Sequence, residues 1–507
     1  MPSERSTQLK RPIQGPLAIE IFLEIASFLQ SNEVLALSLA SSQIRALLLP
    51  ELYRSVSLQT NRACLSGLAM LAQHSNLCKY IHTLTVRPNY AIVCWPRKEA
   101  RMSECLVASR VKTVAHSLCN LKKFEWGGTG SPPKDFWLTL RQLCPKLQRV
   151  SSTAGCQPID PGFELFQFNN LTGFSLQVCA CIYDGDSMHS ALPNRICTML
   201  SRHCPNLEEL TLRLLDPSRT LQETDLFTAN VFPKLRSLHL DICLSSGNSR
   251  YPDLFPSVLG SFLSAHPALT ELTILPYGRL PSELPLFLSP AALPNLSSFV
   301  GVYQHVAQLP HPQALTALDL TGDPVPADAI VTVASALRRL VRLQNLDVRL
   351  AHPGLFPVVV AACTELTELR VMFPVAVEPK ILHGIAAALP RLPRLHSFTL
   401  YVGRRRGARS MPMLRVALQL LRAGPACLRE VHLAWFVFDG ACYRAQDGAY
   451  ALRNSEDRRG ARYLDVTERG LRRARAGGTF ERRFRYALDG PCDLRACVVK
   501  GLARMRR

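Results

Sequence analysis

At 507 residues, with 47% hydrophobic and 19% charged side chains, the chain is too apolar to be disordered and too long for one compact globule. Thirty-six prolines against 27 glycines suit an architecture of many regular turns and helix stops, so internal repeats are the first organisation to test. The formal charge of +20 invites a nucleic-acid partner, but nearly half of it falls after residue 440 and the rest is dispersed, which argues against a phosphate-binding domain.

Residues 1–16 are polar and read as a flexible N-terminus without a signal peptide. Residues 17–60 read as a helical module. Leu17, Ile21, Ile25, Phe28 and Leu29 share one helix face, with Phe22 and Leu23 beside it. A second helix is expected from Asn32 as N-cap through Val34, Leu35, Leu37 and Leu39. A third is expected over 42–49, stopped by Pro50. Three short helices cannot bury this much apolar surface among themselves, so part of it must face the following repeats or a partner.

Residues 61–440 read as a solenoid. The pattern Leu-x-x-Leu-x-Leu recurs at Leu207, Leu235, Leu269, Leu315, Leu343, Leu366, Leu395 and Leu428. Weaker copies start at Ile81, Leu121, Leu147, Leu171 and Leu296. The thirteen starts lie from 19 to 40 residues apart, a mean of about 29, which is the spacing of leucine-rich repeats. Within each copy the last two apolar positions alternate as a short strand, and the first closes the preceding turn. Several copies follow a proline, as at Pro145, Pro205, Pro233, Pro267, Pro294 and Pro393, which ends the helix before the strand. The expected fold class is therefore an α/β solenoid, a leucine-rich-repeat horseshoe of parallel strands inside and helices outside, preceded by a small three-helix module. Insertions are expected near 88–111 and 183–192.

The 17 cysteines form no framework, and Cys144, Cys204, Cys363 and Cys427 sit in apolar surroundings as reduced thiols, which points to the cytoplasm or nucleus. No charge-free apolar run reaches the length of a membrane span.

Residues flanking the inward strand positions should line the concave face. From the clear copies these include Glu209, Arg213, His239, Asp241, Glu271, Asp319, Asp347, Arg349, Glu368, Arg370 and Tyr401, taken as the substrate-binding set. Their acidic lean favours a protein ligand of basic or mixed character and speaks against nucleic acid. Signatures of zinc sites, a nucleophile elbow or a phosphate loop are absent, so no catalytic residue, metal or cofactor is expected. Asn170-Leu-Thr172 and Asn295-Leu-Ser297 match glycosylation acceptors only because each leucine is a repeat position.

From residue 441 onward the pattern breaks, and 16 arginines crowd the last 67 residues. Three readings of this tail stand side by side: an arm for nucleic acid or acidic partners, a nuclear-import segment, or translated sequence from outside the native reading frame.

The run from Leu17 to Ile25 with Phe28-Leu29, then Leu37-Ser38-Leu39-Ala40-Ser41, Arg45 and the stretch Leu52 to Leu58, resembles the F-box of fungal F-box proteins that carry leucine-rich repeats. Ala18 stands where that family usually has a proline. The resemblance implies docking to the Skp-type adaptor of an SCF-type cullin ubiquitin ligase, with the repeats selecting the protein substrate. By position it assigns adaptor binding to Leu17, Ile21, Phe22, Ile25, Leu29, Leu37 and Leu39. The alternative is a ligase-independent repeat scaffold whose first helices only cap the solenoid.

Overall fold

The computed structural model describes residues 19–89, 102–155, 160, 162–178, 194–214, 227, 231–243, 254–277, 286–376, 379–404, 413–439, 442–456, 462–471 and 479–487. The chain forms two compact units, residues 1–183 with 193–204, and residues 184–192 with 205–507.

The first unit opens with helices α1 (Ile19–Ser27), α2 (Ser31–Ser38) and α3 (Ser42–Tyr53). They close on Ala26, Val34 and Leu48, against which Phe22, Leu29, Leu37, Ile44 and Leu52 pack. Two expected boundaries shift. The N-cap of α2 is Gln30 in place of Asn32, and the Gln30 backbone N–H donates to Glu33 Oε2 at 2.8 Å. That bond ties the cap to the first turn, leaving Asn32 inside the helix. Helix α3 runs through Pro50 to Tyr53. Burying Leu52 against the small core outweighs the backbone bond that the proline removes.

The chain leaves α3 directly into strand β1 (Ser55–Leu58), which pairs in parallel with β2 (Thr83–Val86). The first rung therefore lies inside the segment expected to be purely helical. Strands β3 (Lys123–Trp126), β4 (Arg149–Ala154) and β5 (Gly173–Val178) continue the parallel ladder. The inward residues Leu84, Val86, Phe124, Trp126, Val150, Phe174 and Leu176 are all buried. Behind the strands, helix Asn61–Gln73 stacks on Glu104–Ala115, and that on Lys134–Leu143. The region expected to be an insertion over 88–111 thus contributes an ordinary repeat helix from Glu104 onward; the expected insertion over 183–192 lies outside the described residues.

An aromatic cluster fixes the centre of this unit. The ring of Phe136 lies 5.7 Å from Phe124, 5.4 Å from Trp126 and 5.1 Å from Trp137, in tilted or edge-on arrangements. At the strand ends, Glu104 gathers the turns: Oε1 accepts from Asn89 Nδ2 and the Thr129 backbone, Oε2 from the Gly130 backbone, at 2.8–3.0 Å. Gly128 is needed here, since a Cβ would stand 2.6 Å from Glu104 Oε2.

The second unit repeats the plan. Strands β6 (Glu209–Leu214), β7 (Ser237–Cys243), β8 (Glu271–Tyr277), β9 (Ser298–Val300), β10 (Ala317–Val325), β11 (Asn345–Leu350), β12 (Glu368–Ala376), β13 (Ser397–Arg404) and β14 (Glu430–Asp439) pair in parallel, each with the next. Helices Ile330–Arg338, Phe356–Ala362, Pro379–Ala388 and Met413–Ala423 stack in series. All thirteen repeat starts found in the sequence lead into a strand, so each unit is an α/β leucine-rich-repeat solenoid. His266 is structural: its Nδ1 lies 2.6 Å from the Phe262 carbonyl while Nε2 accepts from the Phe232 backbone at 2.8 Å. This arrangement requires the neutral ring, and burial lowers the imidazole pKa accordingly.

Burial raises the Cys144 and Cys363 thiols to about 12, and Cys204 is raised as well. Cys427, half-buried, donates from Sγ to the Pro393 carbonyl at 2.9 Å.

The Arg-rich tail holds more regular structure than its composition suggests. Strands β15 (Cys442–Glu456), β16 (Arg462–Leu471) and β17 (Thr479–Ala487) extend β14 as antiparallel hairpins. Their register sets Asp465 opposite Arg485 and Glu468 opposite Arg482.

Phe136→Ala is expected to destabilise the first unit by about 3–5 kcal/mol, as for other buried aromatic truncations. Urea denaturation followed by circular dichroism measures it.

Candidate interaction surfaces

Helices α1–α3 expose apolar side chains that their own core does not use. Of the twelve exposed large hydrophobic residues among the described ones, six lie between Ile19 and Leu39: Ile19, Ile21, Ile25, Phe28, Leu35 and Leu39. Phe28 and Leu39 are the most open, at 79% and 73%. The expected adaptor-binding set therefore divides. Ile21, Ile25 and Leu39 face outward, whereas Phe22, Leu29 and Leu37 pack on the module's interior. Leu17 lies outside the described residues. Ile19, Phe28 and Leu35 join the exposed set. The continuous apolar run in the sequence did not tell the two faces apart.

In the second unit, the strand face opposite the helices carries the expected substrate-binding residues in register. Asp319 on β10 aligns with Asp347 on β11 and Arg370 on β12, and Arg349 aligns with Met372 and Tyr401. Asp319 Oδ1 accepts from the Thr321 backbone and hydroxyl at 2.8 and 2.6 Å. Arg370 Nη1 lies 3.2 Å from Asp347 Oδ2. Burial raises the Asp347 carboxyl to about 6; Arg370 opposes the rise, and Asp319 and Glu368 add to it. Asp323 is raised by burial with Arg349 opposing. Glu271 and Glu368 are exposed, and Glu209, His239 and Tyr401 half-buried.

Asp241 departs from the expected accessible position. It is 2% exposed, with Oδ2 3.0 Å from Arg213 Nε and Oδ1 2.9 Å from His239 Nε2. Its neighbours on the strand face close over it, so it is not accessible as expected.

The first unit carries the opposite sign. On its strand face lie Arg87, Lys123 and Arg149, with Glu125 as the acid among them, and Arg87 Nε donates to Glu125 Oε1 at 2.8 Å. Arg149 lies across β5 because Gly173 leaves space; a Cβ there would stand 2.9 Å from Arg149 Cγ. One position earlier, at the start of each strand, Arg54, His82, Lys122 and Gln148 follow one another, joined by backbone bonds of 2.8–2.9 Å. Lys146 Nζ donates to Asn120 Oδ1 at 2.7 Å, and Asn120 Nδ2 to the Lys79 carbonyl at 2.8 Å. Burial lowers the His82 imidazole, and Lys122, Arg54 and Lys146 lower it further. This row lies in the weaker repeats, at strand positions outside the substrate-binding set expected from the clear copies.

Among the described residues no group of three or more His, Cys, Asp or Glu side chains could hold a metal ion, and no helix is long and apolar enough to cross a membrane.

No family model and no curated protein matches this chain. Among solved structures, the crystal structure of the Rad7 and Elc1 complex in yeast matches over 78% of this chain and 94% of its own, at 12% identity and a TM-score of 0.35. A likeness that loose bears neither on the fold nor on function.

The Asp347 carboxyl is expected to titrate near 6 by carboxyl-carbon NMR, and Arg370→Ala to move its midpoint upward, since the guanidinium favours the ionised form. A folded pKa above the unfolded value of about 3.9 means that this group gains stability as pH falls from 6 towards 4.

Proposed function

We propose that this protein is the substrate-recognition subunit of an SCF-type cullin ubiquitin ligase, itself catalysing no reaction and needing no cofactor. Helices α1–α3 dock on a Skp-type adaptor, and through it on the cullin, while the repeats hold a protein substrate in the cytoplasm or nucleus. The observation that carries this reading is the gathering of exposed Ile19, Ile21, Ile25, Phe28, Leu35 and Leu39 on helices that already own a core of Ala26, Val34 and Leu48. Six large apolar side chains on so short a segment cost solubility unless another surface covers them. The F-box resemblance of the same residues names that surface.

A second reading is a ligase-independent scaffold. It is favoured by the direct passage from α3 into β1, which puts the module where a solenoid needs an end cap.

Co-purification with a Skp-type adaptor separates the two. Changing Ile21, Ile25 and Leu39 together to Glu is expected to abolish adaptor capture while leaving the thermal melt of the full chain in place, because all three side chains are exposed. Equal capture by the variant and the wild type would shift the assignment to the scaffold.

A further inference from the structure

We infer that the open edge of strand β1 pairs antiparallel with β1 of a second copy of this chain, joining two molecules about a two-fold axis at Ser57. The backbone bonds show which edge is open. The Thr83 and Arg87 N–H groups donate to the Arg54 and Leu58 carbonyls at 3.0 and 2.8 Å. By the alternation of a parallel ladder, the N–H and C=O groups of Val56 and Leu58 then face β2, and those of Ser55, Ser57 and Gln59 face away from it. All three of these residues are exposed, and among the described residues no strand lies beyond them.

The core records the missing neighbour. From β2 to β14 the first inward side chain of every strand is buried, from Leu84 and Phe124 through to Phe398 and Val431. Val56, at the same position of β1, is only half-buried. At β14 the free edge is taken by an antiparallel strand, β15, which pairs along it from Glu430 to Asp439. No described strand does this for β1. A row of alternating donors and acceptors is matched by an extended polypeptide backbone, which sets the class of occupant.

The sequence of β1 fits its own reversed copy. With the axis at Ser57, that residue lies opposite Ser57 of the second copy, Ser55 opposite Gln59, and Val56 opposite Leu58. Ser57, with both backbone groups outward, exchanges two bonds with its counterpart, as the hydrogen-bonded pairs of an antiparallel ladder do. Val56 gains a leucine beside it on the apolar side, and the serines and Gln59 come together on the polar side. Arg54 falls opposite Thr60, so no like charges meet. A slip of one residue would set the apolar side of one copy against the polar side of the other. The contact is small, and the association it supports is transient.

Sedimentation velocity of the full chain over about a hundredfold range of concentration tests this, since a dimer gains with concentration by mass action. No adaptor is present, and β1 lies outside the helices proposed to dock it, so the two proposals fail separately. The wild type is expected to pass from monomer to dimer. Ser57→Pro removes only an outward N–H and is expected to stay monomeric. Ser55→Lys with Gln59→Lys sets like charges face to face and is expected to weaken the dimer, whereas Ser55→Lys with Gln59→Glu sets opposite charges face to face and is expected to tighten it about fivefold. The changed side chains are exposed, so the thermal melts of the charge variants are expected to match the wild type. A wild type that stays monomeric throughout overturns the inference, as does a dimer indifferent to Ser57→Pro or to the charge pairs. A dimer kept by Ser57→Pro but lost when Ile21, Ile25 and Leu39 are changed to Glu overturns it too, and moves the contact to the helices.

Discussion

The stacking of one apolar row upon the next is the constraint on which the rest of this molecule depends. A strand of four residues such as Thr83–Val86 buries two apolar side chains, Leu84 and Val86, and can do so only because the strands on either side supply the walls. Each buried Val, Leu or Phe contributes about 1.5–3 kcal/mol against exposure, whereas one repeat in isolation recovers little of it. Order in each rung is borrowed from its neighbours. The ends of such an array are therefore where the sequence has to change character, and they do: an apolar three-helix module before β1, and antiparallel hairpins after β14.

The same ladder decides where charge can go. With the inward positions committed to apolar residues, charged side chains fall on the open strand face or at the strand starts, and parallel register lines them up at a fixed spacing. In the second unit this aligns Asp319 with Asp347 and Arg370, and burial, helped by the nearby Asp319 charge and opposed by Arg370, raises the Asp347 carboxyl. In the first unit it aligns Lys123 with Arg149 and Lys122 with Gln148. The net positive charge of the whole chain does not describe the face of the second unit that carries Asp319 and Asp347.

The repeats were legible because their signal is redundant: thirteen spaced motifs lead into thirteen strands, and a misread copy is corrected by those around it. What lacked redundancy was harder to read. Strand β1 hides in Ser55–Leu58, whose only buried residue is Leu58, and it exists because β2 offers an edge. Pro50 reads as a stop until Leu52 is seen to need the helix. Period-two alternation placed Asp241 on the strand face opposite the helices, but exposure depends on what surrounds it there, and Arg213 on β6 and His239 on its own strand close over it. Among the helices, Ile21 and Phe22 are adjacent and equally apolar in sequence; only the crossing of α1 with α3 determines which of them is inside.

That last distinction also bears on how one short module can serve two ends. A cap needs an apolar side towards the first rung and a polar side towards water. The α1–α3 module meets the first need through α3, which continues into β1 and packs near the helix at Ser75–Cys78. It fails the second, since Phe28 and Leu39 stand open on the outside. A sequence under selection for capping alone would place polar residues at those positions at no cost to the Ala26, Val34 and Leu48 core. On the proposed reading a covering partner takes those apolar groups, and docking and capping would then use different faces of the same three helices.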